Sequence, residues 1–166
     1  MSPVLEPTAL FAALGKADVH YVLIGGFAVA AHGAIRATAD LDICPDPAEA
    51  NLRRLANLLG SIEAHIADGG DFEPAELAAP DFEALRAGGN FRLRTTLGAL
   101  DVMQYLEPFA ANIWPALDKH AEERQVFGEK IRVCGYDDLI KMKSAAGRDQ
   151  DRIDIANIKA ARRELN

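Results

Sequence analysis

Two aspartates, Asp40 and Asp42, stand one residue apart in the otherwise apolar stretch ADLDIC. Side chains alternate between the two faces of a β-strand, so a strand here directs both carboxylates to one face and Leu41 and Ile43 to the other. The apolar neighbours on both sides predict a central strand, whose faces are usually covered. Two carboxylates on a covered face of a sheet repel each other unless a cation neutralises part of their charge. The fold is therefore expected to provide a cation site beside them.

Adjacent glycines, Gly25 and Gly26, follow a short apolar run. The run predicts a buried strand at 20–24, and the alanine-rich stretch after the glycines predicts a short helix that ends at Gly33. Glycines at the start of a helix let backbone amides approach a polyphosphate, and the helix dipole favours anions there. A glycine pair after a strand is also typical of a plain tight turn, and that alternative stays open.

A third aspartate, Asp101, lies between two apolar residues further along the chain. The surrounding sequence predicts a β-hairpin with strands at 91–96 and 99–106 and a tight turn at Leu97–Gly98. The carboxylate of Asp101 then points away from the apolar face of its strand, either towards the other two aspartates or, on an edge strand, towards water. Three converging carboxylates would suit Mg²⁺, which takes oxygen ligands at about 2.0–2.1 Å.

The remaining sequence alternates helical and strand patterns. Apolar residues at helical spacing predict further helices at 7–17, 48–60, about 108–120, 136–146 and 149–164. The stretch 124–135 predicts a strand pair that turns at Gly128–Glu129, and 67–90 predicts a mobile excursion with one or two helical turns. This order predicts a mixed β-sheet flanked by helices, an α+β or α/β fold.

Composition narrows the class of protein. A length of 166 residues fits one domain, 1–166. The formal net charge of −7 argues against a broad nucleic-acid-binding surface, because phosphate binding depends on clustered Lys and Arg. The sequence has neither an apolar run of roughly 18 residues nor a basic leader, so we expect a cytoplasmic protein without membrane contact. Cys44 and Cys134 are expected to be buried and reduced, with a disulfide as the alternative.

The stretch GGFAVAAHGAIRATADLDI resembles the signature of the DNA polymerase β-like nucleotidyltransferase superfamily: a glycine turn, a short helix, then Asp-x-Asp on the next strand. GALDVM resembles the strand that carries the third carboxylate in that family. The ending DDLIKMKSAAGRDQDRIDI is similar to the helical tail of many small members, including abortive-infection and toxin–antitoxin nucleotidyltransferases. The resemblance implies a nucleotidyltransferase core at about 18–107 and a short C-terminal helical tail at about 136–164.

The resemblance implies transfer of a nucleotidyl group from a nucleoside triphosphate, such as ATP, to an acceptor hydroxyl, with pyrophosphate leaving. Asp40 and Asp42 would hold two Mg²⁺ ions, or Mn²⁺ in their place, about 3.5–4 Å apart. Asp101 would bind the catalytic ion and help to accept the proton of the acceptor. Gly25 and Gly26 would hold the β- and γ-phosphates.

Two cations are candidates for phosphate contacts. Many relatives have Ser where this chain has Gly26, so the phosphate contact is expected to depend on Arg36, whose guanidinium matches phosphate with paired donors. Lys143 shares the apolar stripe of its helix and either contacts the triphosphate or extends to water. Arg148, Asp151 and Asp154 form an ordinary charged helix face, or Asp154 orients Lys143.

Three functions follow, in this order of preference. The first is a Mg²⁺-dependent nucleotidyltransferase whose acceptor is a small molecule, a protein or an RNA end, in a toxin–antitoxin or phage-defence system with a cognate partner protein. The second is a non-catalytic, antitoxin-like module that binds a partner through its acidic surface and 67–90. The third is an antibiotic nucleotidyltransferase, ranked last because such enzymes usually carry a larger helical domain than 166 residues allow.

Overall fold

A computed structural model describes residues 3–67 and 78–166 of the chain. These residues form seven helices and seven strands. The helices are α1 (Pro7–Lys16), α2 (Gly25–Ala31), α3 (Glu49–Ser61), α4 (Phe82–Ala87), α5 (Trp114–His120), α6 (Tyr136–Ala146) and α7 (Asp149–Glu164). The strands are β1 (Tyr21–Ile24), β2 (Asp40–Pro45), β3 (His65–Ile66), β4 (Asn90–Thr95), β5 (Gly98–Met103), β6 (Glu122–Val126) and β7 (Glu129–Val133).

All seven strands belong to one mixed sheet, in the order β3-β4-β5-β2-β1-β7-β6. Strand β2 pairs antiparallel with β1 and parallel with β5. Strand β7 pairs parallel with β1 and antiparallel with β6, so the predicted strand pair extends the sheet on its other side. The predicted mixed sheet flanked by helices is therefore confirmed.

Part of the apolar core packs on the face of the sheet opposite to the aspartates. Leu41 and Ile43 of β2 and Leu100 and Val102 of β5 are fully buried in it. The helices α1 and α3 contribute to the same cluster with Leu10, Phe11, Leu14, Leu52, Leu55 and Leu59. Each buried side chain of this size stabilises the fold by on the order of 1.5–3 kcal/mol. This burial fixes which face of β2 carries the carboxylates, because a slip of one residue would place them in the core.

The 124–135 strand pair turns at 127–128, one residue before the predicted Gly128–Glu129, because Val126 pairs with Glu129. Two further predictions also differ from the structure for local reasons. The helix predicted at about 108–120 begins only at Trp114, because the side chain of Asn112 accepts a hydrogen bond from the Trp114 amide at 2.8 Å. The hairpin turns one residue earlier than predicted, since Thr95 pairs with Gly98. Gly98 has a φ of +109°, and a Cβ there would lie 2.4 Å from Cα of Leu5. Glycine is therefore needed where the strand begins, and not within the turn.

Other predictions hold within the described residues. Helix α4 supplies helical turns expected in 67–90, although residues 68–77 of that prediction lie outside the described ranges. Cys44 and Cys134 are both buried and free, as predicted. In the described part of the chain, none of the helices combines the length and the apolar character needed to cross a membrane.

Candidate active site

The strand register brings the three predicted carboxylates together. Asp42 and Asp101 are direct partners in the parallel pair of β2 and β5, and Asp40 lies two residues before Asp42 on the same face. Carboxylate oxygens of the three residues lie within 4.8 Å of one another. Strand β5 lies between β2 and β4, so the edge-strand alternative for Asp101 is wrong; only 8% of this residue is exposed. We call Asp40, Asp42 and Asp101 the carboxylate cluster.

The carboxylate cluster carries excess negative charge. Burial, followed by the charges of Asp40 and Asp101, raises the pKa of Asp42 to about 8. Burial and the charge of Asp40 raise the pKa of Asp101 to about 6, with Arg92 acting in the opposite direction. Raised carboxyl pKa values mean that the site favours a bound cation, here a proton, over three bare charges. An all-oxygen donor set of this kind fits Mg²⁺ or Mn²⁺.

The glycine turn packs directly against the carboxylate cluster. Ile24, the last residue of β1, pairs with Asp42, so the turn that follows lies beside that carboxylate. Gly25 has a φ of +70°, and a Cβ there would lie 2.0 Å from Oδ2 of Asp42. A Cβ on Gly26 would lie 2.8 Å from Oγ1 of Thr38, a hydroxyl that donates a hydrogen bond to the carbonyl of Asp40 at 3.0 Å. Both glycines are thus required for close approach to the site, which a plain turn does not explain.

A cavity of about 470 Å³ opens over the carboxylate cluster. This volume is within the range of pockets that hold small ligands, about 300–1,000 Å³. Its basic lining residues are Arg36, Arg92, Lys143 and Arg148, and its apolar lining residues include Met103, Leu106, Leu139 and Met142. Gly25 and Gly26 also line it, so the cavity joins every residue that the sequence predicts for the site. Carboxylates, cations and an apolar wall around one space suit an anionic ligand that also has an apolar part.

Arg36 and Lys143, the two cations predicted for phosphate contacts, both bind Asp154 of helix α7. Nε of Arg36 donates to Oδ1 of Asp154 at 3.0 Å, and Nζ of Lys143 donates to Oδ2 of the same residue at 2.9 Å. Nζ of Lys143 also lies 3.2 Å from Oδ1 of Asp151. Only 7% of Lys143 is exposed, so the alternative in which it extends to water is wrong.

The charged-face alternative for α7 is also wrong. Asp151 and Asp154 are 1% and 0% exposed, and both lie on the buried side of the helix with Ile158. Arg148 at the N-cap donates from Nε to Oδ2 of Asp151 at 2.7 Å. The spacing i, i+3, i+7 from Asp151 to Ile158 is that of one helix face, and this signal could have indicated their burial from the sequence. We call Arg36, Lys143, Arg148, Asp151 and Asp154 the ion cluster.

Two basic residues of the cavity, Arg92 and Arg148, were absent from the predicted site. Arg92 lies directly opposite Asp101 in the β4–β5 pair, with Nε 4.0 Å from Oδ2 of Asp101. The predicted turn at Leu97–Gly98 would have placed a different residue of β4 opposite Asp101. That residue is Arg94, so an arginine beside Asp101 follows from either register, and the observed turn makes it Arg92.

Comparison with known proteins identifies the fold. The sequence matches no family model and no curated protein. The structure is similar to that of the lincosamide antibiotic adenylyltransferase LnuA, lincomycin-bound, with a TM-score of 0.61 and 18% identity over 96% of this chain and 99% of that chain. It is similar to ANT(2'')-Ia in complex with adenylyl-2''-tobramycin, with a TM-score of 0.57 and 16% identity over 96% and 89% of the two chains. It is also similar to an antigenic nucleotidyltransferase-like protein from Paracoccidioides brasiliensis, with a TM-score of 0.54 and 16% identity over 96% and 78%.

These likenesses confirm the nucleotidyltransferase fold that the sequence resemblance implies. The alignment with LnuA covers nearly all of both chains, so the two proteins have closely similar lengths. A protein named as an antibiotic adenylyltransferase is therefore about as long as this chain, so a length of 166 residues does not argue against that class.

Proposed function

We propose that this protein is a divalent-metal-dependent nucleotidyltransferase that moves a nucleoside monophosphate from a nucleoside triphosphate to an acceptor hydroxyl. The convergence of three carboxylates within 4.8 Å, at the base of a cavity that also contains a glycine turn, is the observation that carries this proposal. The shared fold of nucleotidyltransferases supports it.

The carboxylate cluster is the proposed metal site. Asp40, Asp42 and Asp101 would hold two Mg²⁺ ions, because hard oxygen ligands are those that Mg²⁺ prefers and the cluster needs positive charge. Bound there, the ions supply electrostatic stabilisation to the attacking and leaving oxygens of an in-line displacement. Asp101 is proposed to accept the proton of the acceptor hydroxyl as its oxygen bonds to the α-phosphorus and the pyrophosphate departs.

The glycine turn and the nearby cations form the proposed triphosphate site. Gly25 and Gly26 line the cavity beside Asp42, and without side chains they leave room for phosphate oxygens next to the carboxylates. Arg36 and Lys143 line the same cavity. A triphosphate with its metal ions is still anionic, so cations at this wall favour its binding.

The acceptor remains a small molecule, a protein or an RNA end. Similarity to LnuA, named as a lincosamide antibiotic adenylyltransferase, and to ANT(2'')-Ia, named as an antibiotic-resistance factor, favours an antibiotic-like small molecule as a second candidate. The toxin–antitoxin or phage-defence setting, with a cognate partner protein, rests on the resemblance of the two C-terminal helices. Dependence on nucleoside triphosphates supports a cytoplasmic site of action.

Isothermal titration with ATP, GTP, CTP and UTP tests the proposal. We expect at least one of them to bind only when Mg²⁺ is present, and we expect Asp42→Asn to abolish this binding. Asp137→Asn, the same change at an exposed position of α6, serves as the matched control and should bind normally. Absence of binding by the unaltered protein would refute the proposal, and co-purification of a tight partner would then favour the non-catalytic module. Incubation of each labelled triphosphate with cell extract would identify the acceptor.

A further inference from the structure

We propose that Asp154, a residue of α7 outside the cavity, is the positioning residue that sets the two phosphate-binding cations, Arg36 and Lys143. This inference rests on the proposed function. Helix α7 would then contribute to nucleotide binding, although Asp154 itself does not line the cavity.

The carboxylate of Asp154 joins three segments of the chain. Oδ1 accepts from Nε of Arg36 at 3.0 Å and from Nε2 of Gln150 at 2.9 Å, while Oδ2 accepts from Nζ of Lys143 at 2.9 Å. Arg36 lies in the connection between α2 and β2, Lys143 on α6 and Asp154 on α7. One carboxylate therefore fixes the distance between two cations that come from elements far apart in sequence.

The hydrogen bonds leave donors for a ligand. An ammonium group has three N–H donors, and two of those on Lys143 point to Asp151 and Asp154. Arg36 has five N–H donors, of which one at Nε is used by Asp154 and one at Nη1 by the carbonyl of Ala37. Because both side chains line the cavity, the remaining donors are available to phosphate oxygens there.

The ion cluster is charged and only partly neutralised. It sets three cations against two carboxylates. Although burial acts in the opposite direction, hydrogen bonds from Lys143 and Gln150 lower the pKa of Asp154, so the residue stays ionised near neutral pH. Burying an ion pair costs desolvation energy, and apolar residues of similar size would join two helices at least as well. A cluster placed at a cavity wall, with a surplus of positive charge, instead suits an anionic ligand.

Asp154→Asn tests the inference because it keeps the size of the side chain but leaves one oxygen to accept hydrogen bonds. The probe is the Mg²⁺ complex of whichever nucleoside triphosphate the unaltered protein binds most tightly. We expect its dissociation constant to rise on the order of 10- to 100-fold, as when a metal-binding side chain loses the outer partner that orients it. We expect KM to rise more than kcat falls. Asp149→Asn is the matched control in the same helix, with a side chain 95% exposed, and should change neither.

A double-mutant comparison separates positioning from a merely structural role. In an Arg36→Gln, Lys143→Gln background, adding Asp154→Asn should change nucleotide affinity less than twofold, because the residues through which it acts are already removed. An equal loss in both backgrounds, or unchanged affinity in folded Asp154→Asn, would overturn the inference. If the unaltered protein binds no triphosphate, the proposed function itself fails, which is a separate result.

A milder variant covers the case in which Asp154→Asn does not fold. Gln150→Leu removes one hydrogen bond to Asp154 from an exposed position of α7. Loss of a single hydrogen bond costs about 0.5–1.5 kcal/mol, so we expect nucleotide affinity to fall about 2- to 10-fold. Unchanged affinity in this variant, combined with failure of Asp154→Asn to fold, would assign Asp154 a structural role only and overturn the inference.

Discussion

The carboxylate cluster and the ion cluster border the same cavity and differ in charge balance. The first has three carboxylates, and Arg92 approaches it only to 4.0 Å with a side chain 65% exposed. The second pairs each of its carboxylates with at least two cations at 2.7–3.2 Å. The pKa values of Asp42 and Asp101 are raised, whereas those of Asp151 and Asp154 are lowered. A cluster whose carboxylates are each paired with cations supports itself, whereas the carboxylate cluster, unbalanced by its poorly paired negative charges, requires cations from outside the chain.

The largest expected effect concerns the unbalanced cluster. Asp42→Asn should reduce nucleotidyl transfer by about 10²–10³-fold, because it removes a carboxylate that would hold the metal ions, whose charge would stabilise the reacting groups. The measurement is release of pyrophosphate with the identified triphosphate and acceptor. Asp137→Asn should retain full activity, and a fully active Asp42→Asn would show that the imbalance has no catalytic purpose.

Stability should respond in opposite directions in the two clusters. Asp154→Asn should lower the free energy of unfolding by about 1–3 kcal/mol, because it leaves buried cations short of a partner. Asp42→Asn should leave this free energy unchanged or raise it in metal-free protein, because folding no longer has to protonate a carboxyl group that is ionised in the unfolded chain. Urea unfolding in EDTA at pH 7 measures both. Equal losses in the two variants would show that the clusters do not differ in balance.

The smallest effect is a change in how stability depends on pH. The pKa of Asp42 in the folded protein, about 8, exceeds its ordinary value of 3.8. Its contribution to the stability of metal-free protein is thus complete below pH 3.8 and is lost as the pH rises through about 8. Urea unfolding in EDTA between pH 6 and 9 should show this decline, which Asp42→Asn should reduce. Mg²⁺ should stabilise the protein most at the upper end of that range, and an identical decline in Asp42→Asn would contradict the assignment.

Local pattern was sufficient for the carboxylates and for the fold. Alternation along one strand placed Asp40 and Asp42 on the same face, and an apolar setting indicated that β2 is central. Asp101 followed from the same rule applied to the hairpin. These inferences depend only on the period of a β-strand, which the sequence carries directly.

The rest of the site depends on long-range packing. Arg92 lies opposite Asp101 only because the hairpin turns one residue earlier than predicted. Asp151 and Asp154 share a helix face with Ile158, a spacing that indicates burial but not which cations they meet. Gly25 was predicted for its approach to phosphate, but its close contact with Asp42 depends on how β1 meets β2. Register and docking are properties of the whole sheet, and short motifs do not specify them.

The hydrogen bond between Arg36 and Asp154 spans 118 positions of the chain. During synthesis, Arg36 leaves the ribosome long before α7 exists, and Lys143 precedes Asp154 by 11 positions. A nascent chain that has already formed β1, β2 and β5 therefore has its carboxylates in place, whereas Arg36 and Lys143 still lack their shared partner. Anchoring of both cations at the cavity wall waits until α7 has been made and has packed.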